Sequence, residues 1–142
     1  MNNHQTKELN EACKECIKKC KECIELSKEL LMACELVTIP AKCMQEINKA
    51  VLAADQCITL CEKAMDRAKE HKENCKNEEC KHVCDDVIFA GRECIKACDN
   101  IEIECSESLK PCIYAVEDTI NKAQKCIEAC TGCIDIINKG EN

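Results

Sequence analysis

The sequence predicts an all-α fold, an antiparallel up-down-up-down four-helix bundle with a cysteine-lined core. Three observations predict it. Helix-compatible Ala, Leu, Ile, Glu and Lys dominate, while Gly (3) and Pro (2) are scarce. No stretch alternates apolar and polar residues with period two, so no strand is expected. The 18 cysteines recur at steps of three and four, which set side chains on one face of a helix. With 142 residues, the chain is expected to form a single domain over 1–142.

The helices are expected over about 5–37, 39–74, 78–107 and 109–139, or roughly 45–55 Å each at 1.5 Å per residue. The first closes at Thr38-Ile39-Pro40, where Thr38 suits an N-cap and Pro40 a first turn. Its inward stripe reads Cys13, Cys16, Cys20, Cys23, Ser27, Leu30, Cys34. The second carries Cys43, Ile47, Ala50, Ala54, Cys57, Cys61, Ala64, Ala68, His71 and Cys75. Lys76-Asn77 breaks it, and Asn77 followed by Glu78 and Glu79 reads as a cap with an acidic first turn. The third helix presents Cys80, Cys84, Val87, Gly91, Cys94, Cys98, Ile101 and Cys105. Ser108 then caps the fourth, with Pro111 in its first turn and a stop at Lys139-Gly140. That stripe is Cys112, Val116, Thr119, Ala123, Cys126, Cys130, Cys133, Ile137. Short connections make neighbours antiparallel.

Each helix contains one Cys-Ile-x-x-Cys unit: Cys16–Cys20, Cys57–Cys61, Cys94–Cys98 and Cys126–Cys130. Each isoleucine lies about 100° round from its cysteine. It can pack helix on helix while the thiols face the axis, and its outer edge can serve a contact between subunits. Phe89 and Tyr114 are the only aromatic residues. A core built on small thiols instead of aromatics is expected to be under-filled unless metal occupies it.

A net charge of −7 with interleaved signs offers no basic stripe for nucleic acid, and no apolar run is long enough for a membrane span. Outward charges such as Lys18, Lys19, Glu62 and Lys63 read as a solvated face. The opening MNNHQTKELNEA has neither a basic nor an apolar region, so no export signal is expected. A cytoplasmic location, where thiols stay reduced, follows. No paired carboxylates, Ser/His/Asp set or phosphate-binding loop stands out, so no enzymatic activity is expected.

Thiolates select Cu(I), Zn(II) or iron–sulfur clusters. Ferredoxin-type cysteines sit on loops, which this chain lacks. Cys13/Cys16, Cys20/Cys23 and Cys130/Cys133 are Cys-x-x-Cys pairs, but a thioredoxin-like role needs a strand before the helix. Four thiolates around one Zn²⁺ leave a net charge of about −2 in a buried core. One Cu⁺ per bridging thiolate is neutral, and an i, i+4 pair is a natural two-coordinate clip. Many Cu(I) ions per chain is therefore the leading reading. The ligands are Cys13, Cys16, Cys20, Cys23, Cys34, Cys43, Cys57, Cys61, Cys75, Cys80, Cys84, Cys94, Cys98, Cys105, Cys112, Cys126, Cys130 and Cys133. The alternatives are a Zn/Cd-binding, metallothionein-like bundle and a metal-free, disulfide-stapled structural bundle. Bridges between i and i+4 on one helix would be strained, whereas bridges between helices stay open.

From about Cys13 to Cys133 the chain resembles the bacterial four-helix-bundle copper storage proteins, in their cytosolic branch. The resemblance rests on the four Cys-lined helices and their four Cys-Ile-x-x-Cys units. It implies a homotetramer of bundles that stores Cu(I) on core thiolates at close to one ion per cysteine. It also implies a His or Met near an open end of the bundle. One end is expected to hold Met32, Cys34, Cys43, Met44, Cys105 and Cys112; the other Met65, His71, Cys75, Cys80 and His82. Met44 and His71 are the candidate entrance ligands. His4, in a terminus expected to fray, is given no role.

Overall fold

Helix α1 spans Asn3–Glu35, α2 Met44–Asn74, α3 Glu78–Cys105 and α4 Leu109–Lys139 in a computed structural model. It describes residues 3–35, 43–106 and 108–139. The expected breaks at Thr38-Ile39-Pro40 and Gly140 lie outside the described residues.

Where the helix ends are described, local chemistry sets them. Regular helix α2 begins at Met44 rather than near 39, and Cys43 precedes it without a side-chain cap. The Asn77 side chain accepts from the Glu79 amide at 2.8 Å, and its carbonyl accepts from Lys81 N at 3.1 Å, so α3 starts as predicted. Glu78 and Glu79 then face the positive end of the helix dipole. Helix α3 stops at Cys105, about two residues short of expectation, where the Ser106 hydroxyl donates back to the Ile103 carbonyl at 2.8 Å. The Ser108 carbonyl accepts from Cys112 N at 3.3 Å and opens α4, whose first turn tolerates Pro111 because its missing N–H has no helical partner there.

Each helix packs on two neighbours, α1 on α2 and α4, and α3 on the same two, which closes a ring. Cys20 meets Cys57 while Cys16 meets Cys61, so α1 and α2 run antiparallel. The molecule is the all-α four-helix bundle with a cysteine-rich core that the spacing predicts. All the residues of the four predicted stripes are buried. The seam also extends further than the stripes, to Thr6, Leu9 and Ala12 on α1, and Ala53, Ala90, Ala97 and Ala115 widen it. Of the Cys-Ile-x-x-Cys isoleucines, Ile127 is buried, and Ile17, Ile58 and Ile95 are half-buried against the core.

Neither aromatic residue enters this core: Phe89 and Tyr114 are 62% and 63% exposed. Leu9, Leu30, Ile101 and His71 are the largest fully buried side chains. Each aliphatic one contributes about 1.5–3 kcal/mol by leaving water. Small Ala, Gly and Cys side chains let the helices close until neighbouring sulfurs touch at 3.5–4.0 Å. At Gly91 the approach is so tight that an added Cβ would lie 2.7 Å from Met65 Cγ.

Candidate metal centre

All eighteen cysteines are buried, but they are unevenly spread. Fourteen form a column from the end where α2 meets α3 through the middle of the bundle: Cys13, Cys16, Cys20 and Cys23 on α1, Cys57, Cys61 and Cys75 at α2, Cys80, Cys84, Cys94 and Cys98 on α3, and Cys126, Cys130 and Cys133 on α4. The other four, Cys34, Cys43, Cys105 and Cys112, sit at the opposite end. Between the groups lies a collar without thiols: Ser27 and Leu30 on α1, Ile47 and Ala50 on α2, Ile101 on α3, Val116 and Thr119 on α4. Thr119 satisfies its hydroxyl on the Ala97 and Ala115 carbonyls at 3.0 and 2.9 Å. The buried Ser27 hydroxyl has no hydrogen-bond partner among the described residues.

Within the column the ligand atoms gather into sets whose members lie within 4.8 Å of one another. One set is Cys16, Cys20, Cys61 and Cys126; a second is Cys20, Cys57, Cys61 and Cys94; a third is Cys23, Cys57 and Cys98. Cys20 and Cys61 belong to two of these sets, and so does Cys57. An ion about 2.3 Å from each sulfur spans sulfurs about 3.8 Å apart in a tetrahedron and about 4.0 Å in a trigonal plane. The observed spacings of 3.5–4.0 Å therefore accept bridged ions with little movement of the helices.

Protonation is uneven along the column. The bond to Cys57, with burial behind it, pushes Cys23 up to about 12 despite Cys98. Burial first, and then the nearby Cys43, pushes Cys34 up to about 11. Cys84 is raised by its hydrogen bond with Cys133 and by burial. Cys57 goes down because Cys20, Cys23, Cys61 and Cys94 surround its sulfur as donors, and Cys126 does so through Cys130, Cys16, Cys20 and Cys61. A thiolate cradled by neighbouring S–H groups is the natural first point of capture for a soft cation.

Four of the expected ligands are bonded to one another in pairs. The structure joins Cys75 to Cys80 and Cys105 to Cys112 as disulfides. Each pair flanks a helix connection, with sequence separations of 5 and 7, that brings the Cα atoms to 6.4 and 4.2 Å. Cysteines four apart along one helix hold their Cβ vectors parallel and do not bridge. The remaining fourteen cysteines are free.

The candidate entrance residues part company. Met44 is 45% exposed at the start of α2. His71 is fully buried. Its Nδ1 faces the sulfurs of Cys75, Cys80 and Cys84 at 3.1, 3.5 and 3.7 Å, and its Nε2 lies 3.3 Å from the Thr6 hydroxyl. These four ligand residues make a further set. Met65, expected at that end, is instead buried beside Gly91 in the middle of the bundle, and His82 is exposed and pairs with Asp86 at 3.7 Å. His4 lies within α1 and pairs with Glu8 at 2.7 Å. Thr6 had no signal in the sequence, because its contact with His71 joins residues 65 apart.

Among the described residues no helix is long and apolar enough to cross a membrane. The core thiols form sets suited to metal. No family model, no curated protein and no solved structure matches the chain.

Proposed function

We propose that the chain sequesters and stores Cu(I), many ions per molecule, on the thiolates of its core. One observation carries the reading: the ligand sets of the column overlap. The three sets in mid-column draw on eight distinct thiols and share Cys20, Cys57 and Cys61. Isolated tetrahedral zinc sites do not share ligands in this way. Three divalent ions on eight thiolates leave two negative charges in a buried core, whereas eight monovalent ions leave none. Copper is then cargo, held by bridging sulfurs, and its uptake expels the thiol protons, so affinity rises with pH.

The wider reading belongs to the same proposal. The protein is cytoplasmic, it is not an enzyme, and it assembles as a homotetramer of bundles. The half-buried outer edges of Ile17, Ile58 and Ile95 and the exposed Leu52, Phe89 and Ile103 offer apolar surface for that assembly. The two disulfides give a stapled structural bundle some support, but they are local to the helix connections and leave fourteen buried thiols without a purpose in that reading.

Anaerobic titration of the fully reduced protein with Cu(I) tests the proposal. Saturation at about 14–20 ions per chain is expected for shared thiolates. Saturation near four ions, with Zn²⁺ competing on equal terms, would overturn it in favour of separate divalent sites.

A further inference from the structure

The corner where α2 ends and α3 begins differs from the rest of the column in three ways. Among the described residues it contains the only nitrogen donor in the buried sets. None of its four members belongs to another set, whereas the mid-column sets share theirs. Its ligands also follow one another closely in sequence, as His-x₃-Cys-x₄-Cys-x₃-Cys from His71 to Cys84. His71 and Cys75 stack one turn apart at the end of α2, and Cys80 and Cys84 one turn apart at the start of α3. The Asn77 cap folds the second pair back onto the first.

We propose that this corner, when reduced, is a separate site for one tetrahedral divalent cation of the zinc class. The ligands are His71 Nδ1 and the thiolates of Cys75, Cys80 and Cys84. The Cys75–Cys80 disulfide switches the site off. The proposal stands apart from copper storage in the column.

Geometry supports the assignment. Tetrahedral zinc with bonds of about 2.0 Å to nitrogen and 2.3 Å to sulfur has N···S edges of about 3.5 Å. With Cys75 and Cys80 still disulfide-bonded, the three Nδ1···S distances are 3.1, 3.5 and 3.7 Å, so on reduction only those two sulfurs have to part. A neutral imidazole and three thiolates leave a single net negative charge around a divalent ion, and the surface cleft beside Cys75 carries both signs, Lys69, Lys72 and Lys81 with Glu73 and Asp85. The outer contact is also in place. With Nδ1 committed to metal, the proton sits on Nε2, which donates to the Thr6 hydroxyl at 3.3 Å and fixes the ring. Four converging donors exceed what Cu(I) needs, and a borderline ion accepts the nitrogen–sulfur mixture.

The disulfide supplies the control. While Cys75 and Cys80 are bonded, only His71 and Cys84 remain as donors. A dithiol reductant delivers two electrons and two protons to that bond, yielding two protein thiols and its own disulfide. The metal then displaces three protons, from Cys75, Cys80 and Cys84.

Titration of reduced protein with Co²⁺, an optical stand-in for zinc, reads the site directly. One equivalent is expected to give the intense spectrum of tetrahedral, sulfur-bound Co²⁺ and to be displaced by one equivalent of Zn²⁺. Thr6→Val should weaken Zn²⁺ binding about 10–100-fold in competition with a chelator, as lost outer contacts do, and His71→Ala should weaken it further. Protein oxidised at Cys75–Cys80 should show no such band. Should His71→Ala fail to fold, Cys84→Ser reads the same loss. A first equivalent that survives these substitutions, or binds alike to oxidised and reduced protein, would overturn the proposal. The copper capacity of Thr6→Val, measured separately, keeps the two readings distinct: a capacity close to the parent's beside weakened Zn²⁺ binding sets this corner apart from the copper store, and equal losses of both would overturn the proposal.

Discussion

At Gly132 an added Cβ meets nothing within 4 Å, while at Gly91 it meets Met65 Cγ at 2.7 Å and Sδ at 2.9 Å. Both glycines lie inside helices, where Gly costs about 0.5–1 kcal/mol relative to Ala. Gly132→Ala should therefore stabilise the protein by about that amount, read as a higher denaturant midpoint. Gly91→Ala should destabilise it, because displacing a packed side chain costs about 1–3 kcal/mol and outweighs the helical gain. Adding Met65→Ala to Gly91→Ala should recover part of the loss, and equal losses in a double-mutant cycle would show that the contact is irrelevant. The pairing of Gly91 with Met65 was not legible in the sequence. The stripe placed Gly91 inward, but the reason, a thioether lying across it from α2, is a tertiary contact.

The helices themselves were legible, because a spacing of three and four is a property of the helix and not of its neighbours. Asn77 shows the same at an element boundary: a short side chain that can replace a missing helical acceptor before an acidic first turn. Asn77→Ala should cost about 1 kcal/mol in chemical denaturation. Because the cap also folds Cys80 toward Cys75, the loss should be larger in the reduced protein, where no disulfide holds the connection; equal losses in both states would assign the cap to α3 alone. The disulfides were not legible. They depend on how near two helix ends come across a connection, here 6.4 and 4.2 Å between Cα atoms, and spacing along one helix says nothing of that. His71 was readable as an inward position, but its full burial required the unforeseen seam residue Thr6 to take its second nitrogen.

For the molecule as a whole, the thiols tie stability to pH. In the metal-free protein with its two disulfides in place, nine thiols are raised above their ordinary 9.0: Cys13, Cys20, Cys23, Cys34, Cys61, Cys84, Cys94, Cys98 and Cys130. Four are lowered, namely Cys16, Cys57, Cys126 and Cys133. A lowered group gives stability that is complete above 9.0 and is lost only as pH falls through its folded value, about 6 for Cys16. A raised group gives stability that is complete below 9.0 and fades as pH rises, through about 11 for Cys34 and about 12 for Cys23. Above 9.0 only the raised set changes, so the melting temperature should fall from there upward. Anaerobic thermal melts of the metal-free protein with both disulfides intact check this, and a flat profile from pH 9 to 11 would contradict it. Loading with Cu(I) should flatten the same profile, because bound ions hold the sulfurs as thiolates at every pH tested.

The thiol-free collar has a consequence for oxidative damage. Thiol–disulfide exchange passes only between sulfurs that can touch. Ser27, Leu30, Ile47, Ala50, Ile101, Val116 and Thr119 interrupt that contact, so the Cys105–Cys112 bond lies behind a firebreak. The Cys75–Cys80 bond has none, since Cys84 lies within 4.8 Å of both its sulfurs and the buried thiols continue from there along the column. Oxidation that begins at the α3–α4 connection is contained there, whereas oxidation that begins at the α2–α3 connection has an open fuse into the column.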